Sequence, residues 1–304
     1  MSRTRFPPLE GAANLMLLSD IHMGGYPAQG HQSYKARDDL NRMTRRLTVD
    51  AWLLAGDQTN DATTAQQTEL NNWLSDLNRG SAPLAMVPGN HDLIASGAGG
   101  LVPDVQTPDQ WAAANAQWGV TGKHYTVDVP GTDLRILCVS PMDSPIGNPP
   151  QNRLTVDDAV LDWCDARLSE TDRRCIILFH APLPDTVLAK AGVPYTSISA
   201  SSWRVFSLGS RSPAQMAAGH SNLIAWVSGH LHSHYDAPDI VKRNVTASGV
   251  YATVALGSPL VLPIGYATPG ITSAMMSVFD DRIEVRYRDH GAGQWLNPWY
   301  TVTL

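Results

Sequence analysis

The chain has 304 residues, 43% of them hydrophobic, and a formal net charge of -6. That length can bury a full core as a single α/β domain over 1–304, with two smaller domains as the alternative, and the negative balance argues against nucleic acid as main partner, since polyanion binders need a basic surface. The three cysteines read as reduced and structural, and the first apolar run, at 15–18, is too short for a signal or a membrane span, so a cytoplasmic setting is expected.

Residues 14–20, 51–57 and 83–90 are short apolar runs ending in Gly or polar residues, as in buried strands that deliver side chains at their C-terminal ends. Between them, Leu40, Met43 and Leu47, and then Leu70, Trp73, Leu74 and Leu77, recur at helical spacing, with Gly80 placed to end the second helix. Such alternation implies parallel crossovers. Residues 124–129 and 134–140 flank the turn cluster Pro130-Gly131-Thr132-Asp133 and predict an antiparallel hairpin. A helix capped by Thr155 follows, with Val160, Leu161, Cys164 and Leu168 on its apolar face. Residues 175–180 and 223–230 repeat the apolar-strand pattern, and 251–257, 274–279, 283–287 and 299–304 read as further strands. Two segments, 96–107 and 184–219, read as insertions leading away from polar strand ends, where substrate-defining loops emerge.

Five polar islands close these strands: Asp20-x-His22, Gly56-Asp57, Gly89-Asn90-His91-Asp92, His180 and Gly229-His230-x-His232. A hydrolytic pair of divalent metals needs oxygen and nitrogen donors of this kind, with a shared carboxylate between the ions. Side chains at i and i+2 of a strand point the same way, so Asp20 and His22 can ligate one ion, His230 and His232 satisfy the same geometry, and Asp57 is the natural bridge. Asn90 is a neutral oxygen donor, and His91 beside it is best placed to meet substrate. The glycines before Asp57, Asn90 and His230 allow close backbone approach. Taken alone, Gly56-Asp57 is little more than a turn, and a lone His180 is more often a partly buried histidine than a ligand; the ordered set is what carries the signal.

This series, from Asp20 to His232, resembles that of the calcineurin-like metallophosphoesterases. The resemblance implies a four-layer α/β/β/α sandwich of two mixed sheets flanked by helices. It implies one metal held by Asp20, His22, Asp57 and His232, a second held by Asp57, Asn90, His180 and His230, and His91 as catalytic histidine; Asp92, next in sequence, is the candidate to orient its ring. The ions would be divalent or mixed-valence Mn, Fe or Zn. A water between them becomes hydroxide near neutral pH and attacks a phosphorus.

Within that superfamily, purple acid phosphatases carry a tyrosine where this chain has Asn60, and protein Ser/Thr phosphatases carry an Arg after the second motif, where Gln58-Thr59-Asn60-Asp61 stands here. The chain looks most similar to bacterial class III cyclic-nucleotide phosphodiesterases, whose C-terminal region Pro269-Gly270 and the strands after it resemble. The expected function is therefore phosphodiester hydrolysis of a small-molecule substrate, with a cyclic nucleotide as one candidate. A phosphomonoesterase or nuclease with the same centre, and a non-catalytic scaffold, are the alternatives, and oligomeric state is open, a homodimer included. His234 reads as a solvent-facing extension, and His31, His124, His220 and His290 as surface or hydrogen-bonded histidines. Arg42, Arg45 and Arg46 share a helix with Asp38 and Asp39 and read as a solvated face. Trp203 could line a substrate pocket.

Overall fold

The computed structural model describes residues 9–24, 27–93, 107–141, 154–183, 189–190, 193–194, 206–207, 209–257 and 272–304. The chain begins with β1 (Ala13–Leu18), α1 (Pro27–Thr44), β2 (Ala51–Ala55), α2 (Thr64–Ser75) and β3 (Leu84–Val87), and the three strands pair in parallel. The short helices α3 (Asn90–Leu93) and α4 (Pro108–Ala114) lead to the antiparallel hairpin of β4 (His124–Asp128) and β5 (Leu134–Val139). Next come β6 (Thr155–Val156), α5 (Asp158–Ser169), β7 (Arg174–Leu178), β8 (Ala189–Lys190), β9 (Val193–Pro194) and β10 (Phe206–Ser207). After them lie α6 (Pro213–Ala218), β11 (Leu223–Ser228), β12 (Val241–Val245) and β13 (Val250–Ala255). The chain closes with β14 (Thr272–Val278), β15 (Arg282–Asp289), β16 (Gln294–Trp295) and β17 (Tyr300–Thr303).

Two mixed sheets result. One runs β16-β15-β14-β1-β2-β3 with β17 also on β15, and the other runs β12-β13-β11-β7-β5-β4. Alternation along the second sheet assigns each residue to a layer. Ile136, Cys138, Ile176, Leu178, Ala225 and Val227 join β1 to β3 in the main buried cluster, which also takes in Leu40 of α1 and Leu70, Trp73 and Leu74 of α2. Their neighbours Leu137, Val139, Cys175, Ile177 and Trp226 instead pack against Val160, Leu161, Cys164 and Leu168 of α5 and Met216 and Ala217 of α6. Helices thus flank a pair of facing sheets, the layered α/β/β/α arrangement expected from the sequence.

Local boundaries differ in instructive ways. Thr155 lies in β6, and the cap of α5 is Asp157, whose side chain accepts from the Val160 N–H at 3.0 Å. Asp158 turns to the Ser210 and Arg211 amides. The end of α2 is Asp76, four residues before Gly80. The last part of the expected 184–219 insertion is α6, started by a Ser212–Gln215 capping box and buried in the outer layer. Residues 94–106, Trp203 and Pro269-Gly270 lie outside the described residues, as do most of 184–208.

Candidate metal centre

All five islands follow the C-terminal ends of parallel strands: Asp20 and His22 after β1, Asp57 after β2, Asn90 after β3, His180 after β7 and His230 and His232 after β11. Strand alternation is not what aims them. Asp20, His22, Asp57, His230 and His232 all have positive φ, between 46° and 70°, in the loops beyond the strands. A left-handed conformation is strained for residues with a Cβ and clusters at functional sites. The loops are held there by backbone bonds, Asp20 N–H to Gly56 O and His22 N–H to Asp57 O, each at 2.9 Å.

Two groups of donors form. Asp20, His22, Asp57 and His232 make one and Asp57, His180 and His230 the other, with the donor atoms of each group within 4.8 Å of one another. Asp57 belongs to both. His180 Nε2 lies 3.1 Å and His22 Nε2 3.8 Å from Asp57 Oδ2, while His232 Nε2 lies 3.0 Å from Asp20 Oδ1 and 3.3 Å from His22 Nε2. Asn90 opens α3, and its buried Oδ1 has no hydrogen-bond partner among the described residues. Imidazole nitrogens converging on shared carboxylates beside an orphaned amide oxygen are a donor set suited to divalent first-row ions.

Close approach is built in by glycine. A Cβ on Gly56 would overlap the His180 ring, one on Gly89 the Asp57 carboxylate, and one on Gly229 both Ser19 Oγ and the Asp20 carboxylate. The expected role of these three glycines matches the packing.

Electrostatics prepare the donors. Burial would raise the Asp57 carboxyl, but His180, His91 and His22 hold it well below its usual value. Asp20 is likewise drawn down to about 2, with His232 outweighing burial. Burial drives His22 down to about 4 and His230 to about 3, so both rings are neutral and carry lone pairs. His180 goes the other way: burial opposes its charge, yet Asp57 and Asp20 lift it to about 9. Its Nδ1 donates to the Ala55 carbonyl at 2.6 Å, leaving Nε2 toward the site. Metal uptake must displace the Nε2 proton.

His91 projects beside this group. Its N–H donates to Asp57 Oδ1 at 2.8 Å, its Nδ1 meets the Asn60 carbonyl at 2.8 Å, and its ring lies edge-on to His22 with centroids 4.6 Å apart. Asp92 does not orient that ring. Its oxygens accept from the amides of Gln58, Thr59 and Gly89 and from the Thr59 hydroxyl, at 2.8–3.1 Å, so the carboxylate ties the β2 loop to the β3 loop. Burial and Asp57 push its pKa up to about 6 against those bonds. The ring partner, a backbone carbonyl, leaves no sequence signal.

Other candidates stay apart. His234 lies in the loop past β11, not on a strand extension, and pairs with Asp236. His124 accepts from Ser140 N–H, His220 meets Asp165 at 2.8 Å, and His290 is buried against Asp39 and Ser273. The side chain of His31 lies outside the described residues.

The sequence pattern of the calcineurin-like phosphoesterases matches residues 13–234. No curated protein sequence matches the chain. Among solved structures, a dimetal phosphatase from Danio rerio aligns with a TM-score of 0.60 at 13% identity, covering 95% of this chain and 98% of that one. A purple acid phosphatase from yellow lupin seeds gives 0.59 at 13% identity, over 98% of this chain and 55% of that one. GAP50, the anchor in the inner membrane complex of Plasmodium, gives 0.53 at 12% identity, over 97% and 89%. At such identities the likeness is one of fold.

Proposed function

Since the chain belongs to the calcineurin-like phosphoesterases and is a metal-dependent phosphoesterase, we propose that it hydrolyses phosphodiesters at a dinuclear centre. In this reading Asp20, His22, Asp57 and His232 hold one ion and Asp57, Asn90, His180 and His230 the other. Two divalent ions bound there supply Lewis-acid charge to the phosphate oxygens and acidify water. The chain's own residues do the rest. Asp57 sets the spacing of the two groups, His22 and His230 bind as neutral rings, and the Ala55 carbonyl fixes the tautomer of His180. His91, whose Nδ1–H is held by the Asn60 carbonyl, would act in its imidazolium form and pass its Nε2 proton to the departing oxygen, leaving the neutral ring.

The observation that carries the diester assignment is the loop after Asp57. Gln58 is turned into the core, donating to the Val87 carbonyl at 2.9 Å, Thr59 is bound to Asp92, and the Asn60 side chain donates to Asp61. Gln58, Thr59 and Asn60 are neutral and Asp61 is acidic, so this stretch brings no cation to the centre. A singly charged diester needs less compensation than a monoester carrying close to two charges. Cyclic nucleotides are the first substrates to examine, and Mn, Fe and Zn all suit the donor set.

A cytoplasmic setting belongs to the same reading. It is supported by the buried free thiols of Cys138, Cys164 and Cys175, pushed by burial up to about 12, 12 and 11. No described helix is long and apolar enough to cross a membrane. The test is kcat/KM of the Mn-loaded protein for a bis-aryl phosphodiester, cyclic nucleotides and an aryl monophosphate. A preference for the monoester sinks the diester assignment.

A further inference from the structure

The end of α1 and the end of β15 enclose a cleft of about 660 Å³ that no donor of the metal centre lines. Arg42, Arg45, Arg46 and Arg288 line it, with Asp39 as the only carboxylate among the described residues that do so. That carboxylate is already engaged. Arg288 donates to it through Nε at 2.6 Å and Nη2 at 2.9 Å, His290 Nδ1 reaches it at 2.8 Å, and Arg42 Nη2 at 3.3 Å.

Arg45 and Arg46 make no ion pair among the described residues. Elsewhere the described surface arginines mostly hold carboxylates: Arg37 with Asp76, Arg135 with Asp128, Arg174 with Asp133, Arg211 with Asp165 and Arg282 with Glu284. In a chain of formal net charge -6, four arginines gathered around one concavity with Asp39 as their counter-charge are not a consequence of composition. Complementing the dipole of α1 does not account for them. That effect fades within the last turn, whereas Arg45 and Arg46 lie beyond Thr44 and Arg288 comes from β15.

We propose that this cleft binds a small polyphosphate, an anion with at least two linked phosphoryl groups. One Asp39 charge offset by Arg288 leaves three guanidinium groups, more than a single phosphate needs, and guanidinium forks match phosphoryl oxygens bidentately. Met43 and Leu47 give the cleft an apolar wall, and Trp295 lies under Arg288 with its ring centroid 5.1 Å from the guanidinium carbon. A concavity of this size fits a small molecule better than a nucleic-acid strand or a membrane surface.

The test is calorimetric titration of inorganic pyrophosphate, in Mg²⁺ buffer, into the metal-loaded full chain, its Arg45→Gln/Arg46→Gln variant and its Asp57→Ala variant. The expected result is a site retained in Asp57→Ala and weakened at least tenfold in the double Gln variant, whose phosphodiester turnover is unchanged. A parallel titration with ADP assigns the source: tighter binding than pyrophosphate points to a nucleotide, equal or weaker binding to free polyphosphate. Equal affinity in the double Gln variant overturns the proposal. So does binding in the wild type that disappears in Asp57→Ala, because the anion then sits at the metal centre.

Discussion

Thr59 donates to one Asp92 oxygen twice, from its backbone N–H at 2.8 Å and from its hydroxyl at 2.9 Å. The second Asp92 oxygen takes the amides of Gln58 and Gly89. Asp92→Asn keeps the shape but turns an NH₂ toward backbone donors. Each buried donor left unsatisfied costs roughly 1–3 kcal/mol, so urea unfolding should show a loss on the order of 2–4 kcal/mol. Metal content should fall as Asp57 loses its frame. Unchanged stability would remove the brace from the account.

His91→Ala should lower kcat by about 10²–10⁴ through loss of general acid catalysis, with metal content and KM close to wild type. The loss should be larger for a diester with an alkoxide leaving group than for a nitrophenyl diester, whose leaving oxygen needs little proton assistance. Equal losses on both substrates would contradict proton delivery by His91.

Gly229→Ala puts a methyl group onto Ser19 Oγ and the Asp20 carboxylate. Overpacking of this kind costs about 1–3 kcal/mol, and here it must also displace a donor. The variant should bind less metal at a given concentration, as read by elemental analysis, with Ala substituted at Gly122, where a Cβ meets only an ordinary contact at 3.6 Å, as the comparison.

Asp39, Arg288 and His290 form a buried network between α1 and β15. Burial would raise the Asp39 carboxyl, but bonds from His290 and Arg288 bring it below its usual value, and burial lowers His290 against Asp39. Both folded values are depressed. Their stability contributions are therefore full above the unfolded values, 6.5 for the histidine and 3.8 for the aspartate, and are lost as pH falls. In metal-loaded protein, His290→Gln should flatten the decline in unfolding free energy between about pH 7 and 5. Arg288→Met leaves Asp39 buried and without its main partner, at a cost of about 3–5 kcal/mol.

The parts legible in the sequence were those that metal chemistry and core burial dictate. Residue types at the ends of β1, β2, β3, β7 and β11 marked the site because few side chains serve as donors, and the runs before them are buried on both faces. Left-handed loop residues, not strand alternation, turn Asp20 and His22 inward, and no residue code marks that conformation. The edge strand Val241–Val245 left no apolar pattern because it is partly exposed throughout. Asp92 looked like a partner for His91 because they are neighbours in sequence, whereas its actual partners are mostly backbone amides, which no residue code announces. The local sequence makes Asp39 part of a solvated face, because its partners, Arg288 and His290, are about 250 positions away.

The dinuclear centre stands or falls on Asp57, the one residue common to both donor groups. The direct measurement is metal stoichiometry by elemental analysis on wild type and Asp57→Ala, with phosphodiester turnover read on the same samples. Wild type should hold two ions per chain and turn over, and the variant should lose both. An Asp57→Ala protein that keeps two ions and normal turnover would contradict the shared role of Asp57.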